Sequence, residues 1–450
     1  MARSRDWTKG STGRNLLVLS WPVWVHEVFF QGTQILDMIW VGRLGVASVA
    51  GLGVATIVIR VGNSAVRGLS IGARAMVARF VGAGDDEGAI HAARQVLIVS
   101  AAFGTVMAAI AVPLAGPVLR FLGLMPEVVA EGTLYLRIMF LSWIPYSLWM
   151  VAYGGILHAS GDTVNPMRIT IFIRSVWMVL SPSFIFGWWI FPRLGVAGAA
   201  MATLVSQCLA IALALWVLFS GKSRLKLTLE GLRFDTNIIW RAVKVSLPAA
   251  VQDMQRSFGN LVLTRLMIPF GTVAVAAHSL ANRVDMMISP VNIALGRGAG
   301  VLVGQNLGAG YAERAERSGW LGAAFNEVFV IGGSVVILLW AEGIVRLFSS
   351  DPELVGLTAV FLRIAAAGYL VNGFEMILQQ SIASAGDTVP PLLVSLVTIW
   401  LVQLPLAFLL PRVTALGVYG VRWAMVISLV LGAIVYSIYF RLGRWKRKKL

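Results

Sequence analysis

Long apolar runs separated by short polar connections dominate the chain. Twelve of these runs are long enough to cross a hydrocarbon layer about 30 Å thick. They lie near 15–41, 50–78, 93–116, 129–157, 166–190, 196–219, 241–268, 275–304, 317–340, 354–382, 389–410 and 416–440. Backbone groups in hydrocarbon have no water to bond, so each run is expected to be a helix that satisfies its own backbone. The pattern therefore predicts an all-α integral membrane protein with twelve transmembrane helices. The run from Asn15 is longer than the apolar core of a secretory signal and lacks a small-residue cleavage site, so it reads as the first span rather than a leader.

Composition agrees with this pattern. Hydrophobic residues make up 58% of the 450-residue chain and charged residues only 13%, with a mean hydropathy of +0.80. A water-facing surface needs more charge than that. The net charge of +16 would suggest nucleic acid in a soluble chain. Here the basic residues sit in short runs between apolar segments, which is the positive-inside signature, and no nucleic-acid partner is expected. Arg3, Arg5, Lys9 and Arg14 open the chain, and Lys222, Arg224, Lys226, Arg233, Arg241 and Lys244 surround its centre. Arg441, Arg444, Lys446, Arg447, Lys448 and Lys449 close it. The opposite set of connections holds isolated cations such as Arg43, Arg120, Arg193, Arg346 and Arg412. This asymmetry places both termini in the cytoplasm, which requires an even number of spans. Trp143, Trp188, Trp189, Trp320, Trp340 and Trp400 fall near span ends and read as an interfacial belt. The single cysteine, Cys208, excludes an internal disulfide or a thiolate metal site.

The two halves repeat. Gly161-Asp162-Thr163 recurs as Gly386-Asp387-Thr388, an offset of 225 (386 − 161). Gly82-Ala83-Gly84 recurs as Gly308-Ala309-Gly310, an offset of 226 (308 − 82), and Leu194-Gly195-Val196 recurs as Leu416-Gly417-Val418. Six spans per half is an even number, so both halves enter the membrane from the same side and form a parallel repeat. The expected organisation is a six-helix lobe over 1–219, a basic cytoplasmic linker over 220–240 and a second six-helix lobe over 241–450. Such repeats suit alternating access by rocking around a central cleft.

Ionisable residues at membrane depth mark function by default. Glu27 and Asp37 lie ten residues apart in the first span, nearly three turns, and so share roughly one face. The offset that relates Pro22 to Pro248 sets His26-Glu27 against Gln252-Asp253, so both halves carry an acid there. Leu263 occupies the counterpart of Asp37. Glu375 shares a face of the tenth span with Asn372 and Gln379. A carboxyl at that depth can hold a proton in one conformation and release it in another, and a cluster of oxygens can instead hold sodium. Arg67, Arg74, Arg174, Arg256, Arg265 and Arg363 either neutralise buried acids or snorkel, although Arg256 is also placed to hold an anionic group. His26 and His278 read as packing residues. The Gly-Ala-Gly and Gly-Asp-Thr turns fall on the cytoplasmic side, where Asp or Thr is expected to cap the next helix. No Lys-Ser or Lys-Thr follows the glycines, which disfavours an ATP-driven pump. No metalloprotease or nucleophile-elbow motif points to an enzyme.

The stretch Leu36-Asp37-Met38-Ile39-Trp40-Val41-Gly42-Arg43-Leu44-Gly45, the stretch Val303-Gly304-Gln305-Asn306-Leu307-Gly308-Ala309-Gly310, the paired Gly-Asp-Thr turns and the Leu-Gly-Val openings together resemble the multidrug and toxic compound extrusion (MATE) family. The resemblance covers nearly the whole chain. It implies a pair of six-helix bundles that export cationic or amphipathic compounds in exchange for protons or sodium, with no cofactor. The family's first-span acid corresponds to Asp37. Its fifth-span Asn and Asp, four residues apart, correspond here to Trp177 and Ser181, so that acid is missing. In the seventh span the usual Glu is replaced by Arg256, with Asp253 about one turn earlier. In the tenth span the usual Asp falls near Asn372, one turn before Glu375. The resemblance thus implies a coupling-ion set of Asp37, Glu27, Ser181 and Thr203, and a substrate set of Asp253, Arg256, Asn260, Glu375 and Gln379. Because Ser and Trp coordinate sodium poorly, protons are favoured. The competing expectation is a flippase or metabolite exporter of the same superfamily with a lipid-linked or anionic substrate. A monomer in the inner (cytoplasmic) membrane of a prokaryote suffices for either.

Overall fold

The computed structural model describes residues 5–44, 46–121, 126–228 and 233–448. Arg3, Gly45 and Lys449, named above, lie outside the described residues.

The described residues form twelve helical passages. We call them α1 (Thr12–Gly42), α2 (Val46–Gly82), α3 (Asp86–Phe121), α4 (126–157), α5 (Val164–Phe186), α6 (Val196–Phe219), α7 (Thr236–Met267), α8 (Thr272–Gly308), α9 (Ala312–Arg346), α10 (352–384), α11 (389–413) and α12 (Tyr419–Leu442). Among the described residues, nine are long and apolar enough to cross a membrane by composition alone. Several helices outrun their apolar runs. For example, α3 begins at Asp86 and α8 ends at Gly308, because a helix continues through the polar boundary as long as its backbone bonds are available.

Among the described residues four passages are not continuous α-helices, and one of them, α9, is kinked at Trp340 (φ −123°, ψ 23°). α4 joins Pro126–Leu141 and Trp143–Met150 to a π turn at Val151–Leu157, and α11 carries a π turn at Val397–Gln403. α10 breaks between Pro352–Tyr369 and Asn372–Ser384, with Val371 at φ −129° and ψ 2°. Such interruptions are common at functional sites in membrane helices.

The chain divides into two compact units. One is built on Val25–Ala250; the other is built on Val251–Leu450 together with Trp7–Trp24. α1 and α7 therefore each change unit soon after an internal proline, Pro22 in α1 and Pro248 in α7. Proline removes one helical hydrogen bond and crowds the preceding turn, which loosens the helix there.

Each unit is held by close packing of small residues, the main device available where lipid is as apolar as the side chains. In the first unit a Cβ on Gly155 would stand 2.6 Å from the Ala73 Cβ, so α4 reaches α2 only because that position is glycine. In the second unit a Cβ on Gly322 would stand 2.9 Å from the Ala299 Cβ and from the Ile377 Cγ2. Leu69, Met76, Val96, Ile156 and Leu218 form part of the first core. Leu16, Leu19, Leu302, Ile377 and Phe440 form part of the second. Large apolar side chains such as Ile110, Val328 and Leu401 are exposed on their units, as lipid-facing positions require.

The tryptophans divide. Trp188, Trp189 and Trp340 are exposed at passage ends, as a belt requires. Trp143 is instead buried and donates its indole N–H to Asn63 Oδ1 at 3.0 Å, and Trp320 packs edge-on against Phe440. Position near a span end did not reveal which way these rings face.

The central connection is folded onto the first unit. Leu225 and Leu227 are buried, Leu227 N–H donates to the Leu218 carbonyl, and Gln95 Nε2 donates to the Arg233 carbonyl at 2.6 Å. Asp235 then begins α7: its Oδ1 accepts the Asn237 and Ile238 N–H groups, and the Ile238 bond foremost holds the carboxyl below its ordinary range. The two Gly-Asp-Thr turns are alike in backbone, with Gly161 and Gly386 both at φ +88°, but their acids differ in role. Asp162 accepts from Asn165 N–H at 3.1 Å and Asn165 Nδ2 at 2.7 Å, which caps α5, while burial pushes its carboxyl up. Asp387 instead accepts the Tyr439 hydroxyl at 2.5 Å and faces Lys448 at 3.4 Å. Thr163 and Thr388 occupy the cap positions but make no side-chain cap bond, so the expected threonine caps are absent.

After α12, Gly443 takes a left-handed conformation (φ +70°) and turns the chain back. Trp445 is thereby fully buried, stacked on Phe440 at 4.5 Å with its indole N–H on the Phe440 carbonyl at 2.8 Å. Truncating this ring in Trp445→Ala is expected to cost about 3–5 kcal/mol. It would appear as a lower unfolding temperature in detergent, and an unchanged one would mean that the ring does not anchor the tail.

Candidate functional site

In the first unit, α1 presents His26 and Glu27, and α5 presents Thr170 and Arg174. His26 Nδ1 and Thr170 Oγ1 share a hydrogen bond of 2.6 Å, and His26 Nε2 lies 3.7 Å from Glu27 Oε1. The imidazole stacks on Tyr153 at 4.3 Å, and Tyr153 in turn stacks on Trp149. Arg174 lies over the Phe30 ring at 4.5 Å and within Coulombic reach of Tyr146, Glu27 and Asp37. His26 is therefore part of the charged cluster rather than a packing residue alone.

Asp37 lies less than three turns further along α1. Its Oδ1 is buried and without a hydrogen-bond partner, and Arg174 is the cation that acts on it. A carboxylate oxygen left that way in a low-dielectric interior is costly to keep ionised. The Thr203 hydroxyl accepts the Trp177 indole N–H at 3.4 Å and donates to the Ala199 carbonyl at 3.0 Å. The Ser181 hydroxyl is fully buried and unpartnered. Of the first set of candidates, Asp37 and Glu27 share one cation, and no hydrogen bond links Ser181 to Asp37 Oδ1.

In the second unit, α7 presents Arg256 to the second half of α10. Its guanidinium donates to Gln379 Oε1 at 2.9 Å and lies 3.5 Å from Glu375 Oε1. Three of the substrate candidates are thus brought together, and the introduced arginine is neutralised within its own unit. Asp253 and Asn260 lie about one turn to either side on α7; Asp253 is half-buried and Asn260 exposed. Their backbone carbonyls accept the Ser257 and Thr264 hydroxyls. Gln255 bridges Ser395 and Trp400, joining α7 to α11.

Sequence reasoning passed over two further polar groups in the second unit. Arg422 on α12 is almost wholly buried. It faces Asp285 at 3.9 Å, donates to the His278 carbonyl at 3.1 Å and covers the Phe361 ring; Tyr369 donates its hydroxyl to Asp285. His278 itself is buried in this network, with its Nε2 on Asn282. Glu327 on α9 is buried and accepts the Gly373 N–H at 2.9 Å. Asp285, Glu327 and Arg422 are ionisable residues inside spans, so the intramembrane-charge rule could have found them; His278 reads from the sequence as a packing residue and sits in this network. The repeat hid them, because at the offsets that relate the halves Asp285, Glu327 and Arg422 face Ile59, Ala101 and Ala200. Among the described residues no group of three or more His, Cys, Asp or Glu side chains could hold a metal.

The family model MatE matches the chain twice, over residues 22–183 and 248–409, and both ends of the two matches are displaced by 226 (248 − 22 and 409 − 183). The chain is 30% identical over 434 residues to a probable multidrug resistance protein NorM of Deinococcus radiodurans, covering 94% of this chain and 93% of that one. It is 26% identical over 435 residues to an FAD transporter of Shewanella oneidensis, with 96% and 95% covered. A solved structure described as the outward-facing conformation of a multidrug resistance MATE family transporter superposes with a TM-score of 0.92. It shares 23% identity and covers 98% of each chain.

Because Glu375 balances Arg256 in a site only partly open to water, Glu375→Gln is expected to destabilise the second unit by about 1–3 kcal/mol. The double variant Glu375→Gln, Arg256→Gln is expected to recover part of that loss in thermal unfolding. A purely additive double variant would show that the pair is not coupled.

Proposed function

The chain belongs to the MatE family, and from that premise we propose that it is a secondary exporter of amphipathic organic compounds, predominantly cations, driven by proton antiport. It is a multi-pass membrane transporter by family and by its helices. In this reading both termini are cytoplasmic, the two six-helix repeats alternate access, and a single copy is sufficient.

The observation that carries the proposal is Asp37, whose Oδ1 is buried without a hydrogen bond and whose balancing cation is Arg174. Glu27 and Asp37 draw on the same arginine, so a proton on either carboxyl leaves Arg174 to the other. A cationic substrate competes with both for the same negative charge, which is the linkage that antiport needs. Sodium requires several oxygens turned to one point, and the Thr203 hydroxyl is already engaged by Trp177 and Ala199. That supports the proton. Glu375 and Gln379, held by Arg256, form the substrate-side polar group of the second unit in this reading.

A second reading, export of an anionic compound, is favoured by the half-buried Arg174 and the buried Arg422 and by the relative named as an FAD transporter. The two readings separate in proteoliposomes. Under an imposed proton gradient, wild type is expected to drive ethidium across the membrane, a sodium gradient is expected to be ineffective, and Asp37→Asn is expected to fall to the rate of protein-free vesicles. Movement of an anionic flavin dinucleotide but not of ethidium would overturn the cationic reading.

A further inference from the structure

The break in α10 falls midway along the passage, and the helix that restarts after it has N–H groups with no helical partner. In this chain a neighbouring helix supplies the partner. Glu327 of α9 accepts the Gly373 N–H at 2.9 Å and also engages the Phe374 N–H. Asn292 of α8 donates to Asn372 Oδ1 at 2.9 Å and steadies the residue before it. The approach is so close that a Cβ on Gly373 would stand 2.9 Å from the Ala323 carbonyl, 3.0 Å from Asn326 Nδ2 and 3.1 Å from Glu327 Oε1.

Glu327 is 7% exposed, and its second oxygen, Oε2, is buried without a partner. Its neighbour Asn326 is fully buried, and both its amide nitrogen and its amide oxygen are unpartnered. The side chains of both residues face Gly373. The groups that act on the Glu327 carboxyl are backbone N–H groups and not a cation. Glu375, two residues further along α10, is taken by Arg256 of α7; the nearest acid in sequence on α9, Glu316, is paired with Lys446. The carboxyl is thus set against backbone N–H groups of α10, with the Asn326 amide facing the same glycine.

We infer that Glu327 is a second proton-carrying carboxyl of the transport cycle, with Asn326 as its switchable partner and the break in α10 as the element that responds. The ionised form is satisfied by the half-helix N-terminus, whose dipole favours negative charge, and by Asn326 turned to donate Nδ2 to Oε2. The protonated form carries its hydrogen on Oε2 and donates it to Asn326 Oδ1 after the amide turns over. Neutralisation removes the charge that holds the start of the second half of α10, so the segment carrying Glu375 and Gln379 is released from α9. The proton comes from water and returns to it.

The repeat argues that the acid is not there for packing. The equivalent junction in the first half is built without charge: Ser147 of α4 donates to the Ser100 carbonyl of α3 at 2.9 Å. Ser100 is the counterpart of Asn326 at the offset of 226, and Ala101 is the counterpart of Glu327. A serine and an alanine suffice to close that contact, so a buried carboxylate at the second one adds something other than closure.

The place of Glu327 in a cycle rests on the antiport reading above, whereas its protonation does not, and the test separates them. Infrared difference spectra of the lipid-reconstituted protein, taken between acid and alkaline buffer, follow the C=O stretch of protonated carboxyls. Glu327→Gln is expected to remove one titrating band and to slow proton-driven ethidium movement about tenfold or more. Asn326→Ala is expected to keep the band but move its frequency, because the hydroxyl loses its acceptor, and it decides the matter if Glu327→Gln fails to fold. A Glu327→Gln spectrum with every titrating band intact, an unmoved band in Asn326→Ala, or wild-type coupling in Glu327→Gln would overturn the inference. Failure of wild type to move ethidium would count against the antiport reading alone, since the infrared arm still reports on Glu327.

Discussion

In the hydrocarbon of a bilayer no water is available to satisfy a polar group, so a charge or a freed backbone N–H is costly there unless the protein supplies a partner. The twelve helices follow from this, because only a helix closes its own backbone bonds within one passage. The exceptions follow as well. Where α10 opens, a carboxylate from α9 accepts the freed Gly373 N–H, and an amide from α8 donates to the side chain of Asn372 beside it. Where α12 carries Arg422 into the interior, Asp285, Tyr369 and the His278 carbonyl are already assembled around it.

The same constraint makes the two units unequal. The first gathers Glu27, Asp37 and Arg174 with one histidine, so two acids draw on a single cation. The second pairs Arg256 with Glu375, pairs Arg422 with Asp285 and leaves Glu327 against backbone N–H groups. A repeated architecture with unlike charges gives each half its own response to a proton or a cation while the rigid helices stay common to both. The proposed transport chemistry lives in that difference rather than in the fold, which is shared by relatives named for different cargoes.

Much of this was legible in the sequence. Length and apolarity give the spans, since both are set by membrane thickness, and the repeat follows from motifs such as Gly161-Asp162-Thr163 and its copy. Asp37, Glu27, Arg256 and Glu375 were legible as charges in apolar runs. Their partners were not, because pairing depends on helix packing across more than a hundred residues, as between Arg256 and Gln379. The break in α10 carries no proline to announce it; the residues that permit it, Gly373 and Glu327, lie on different helices. The roles of Asp162 and Asp387 also diverge, because Asn165 follows one and Tyr439 reaches the other from α12. Identical motifs do not fix identical partners.

The central claim is that buried carboxyls and the exported cation compete for the same charge. The most direct measurement is to titrate purified wild-type protein with ethidium in weakly buffered detergent solution and record the protons released as the cation binds. The account predicts proton release in step with binding, declining as the pH is raised until the carboxyls are already ionised. Ethidium binding with no proton released at any pH would contradict it.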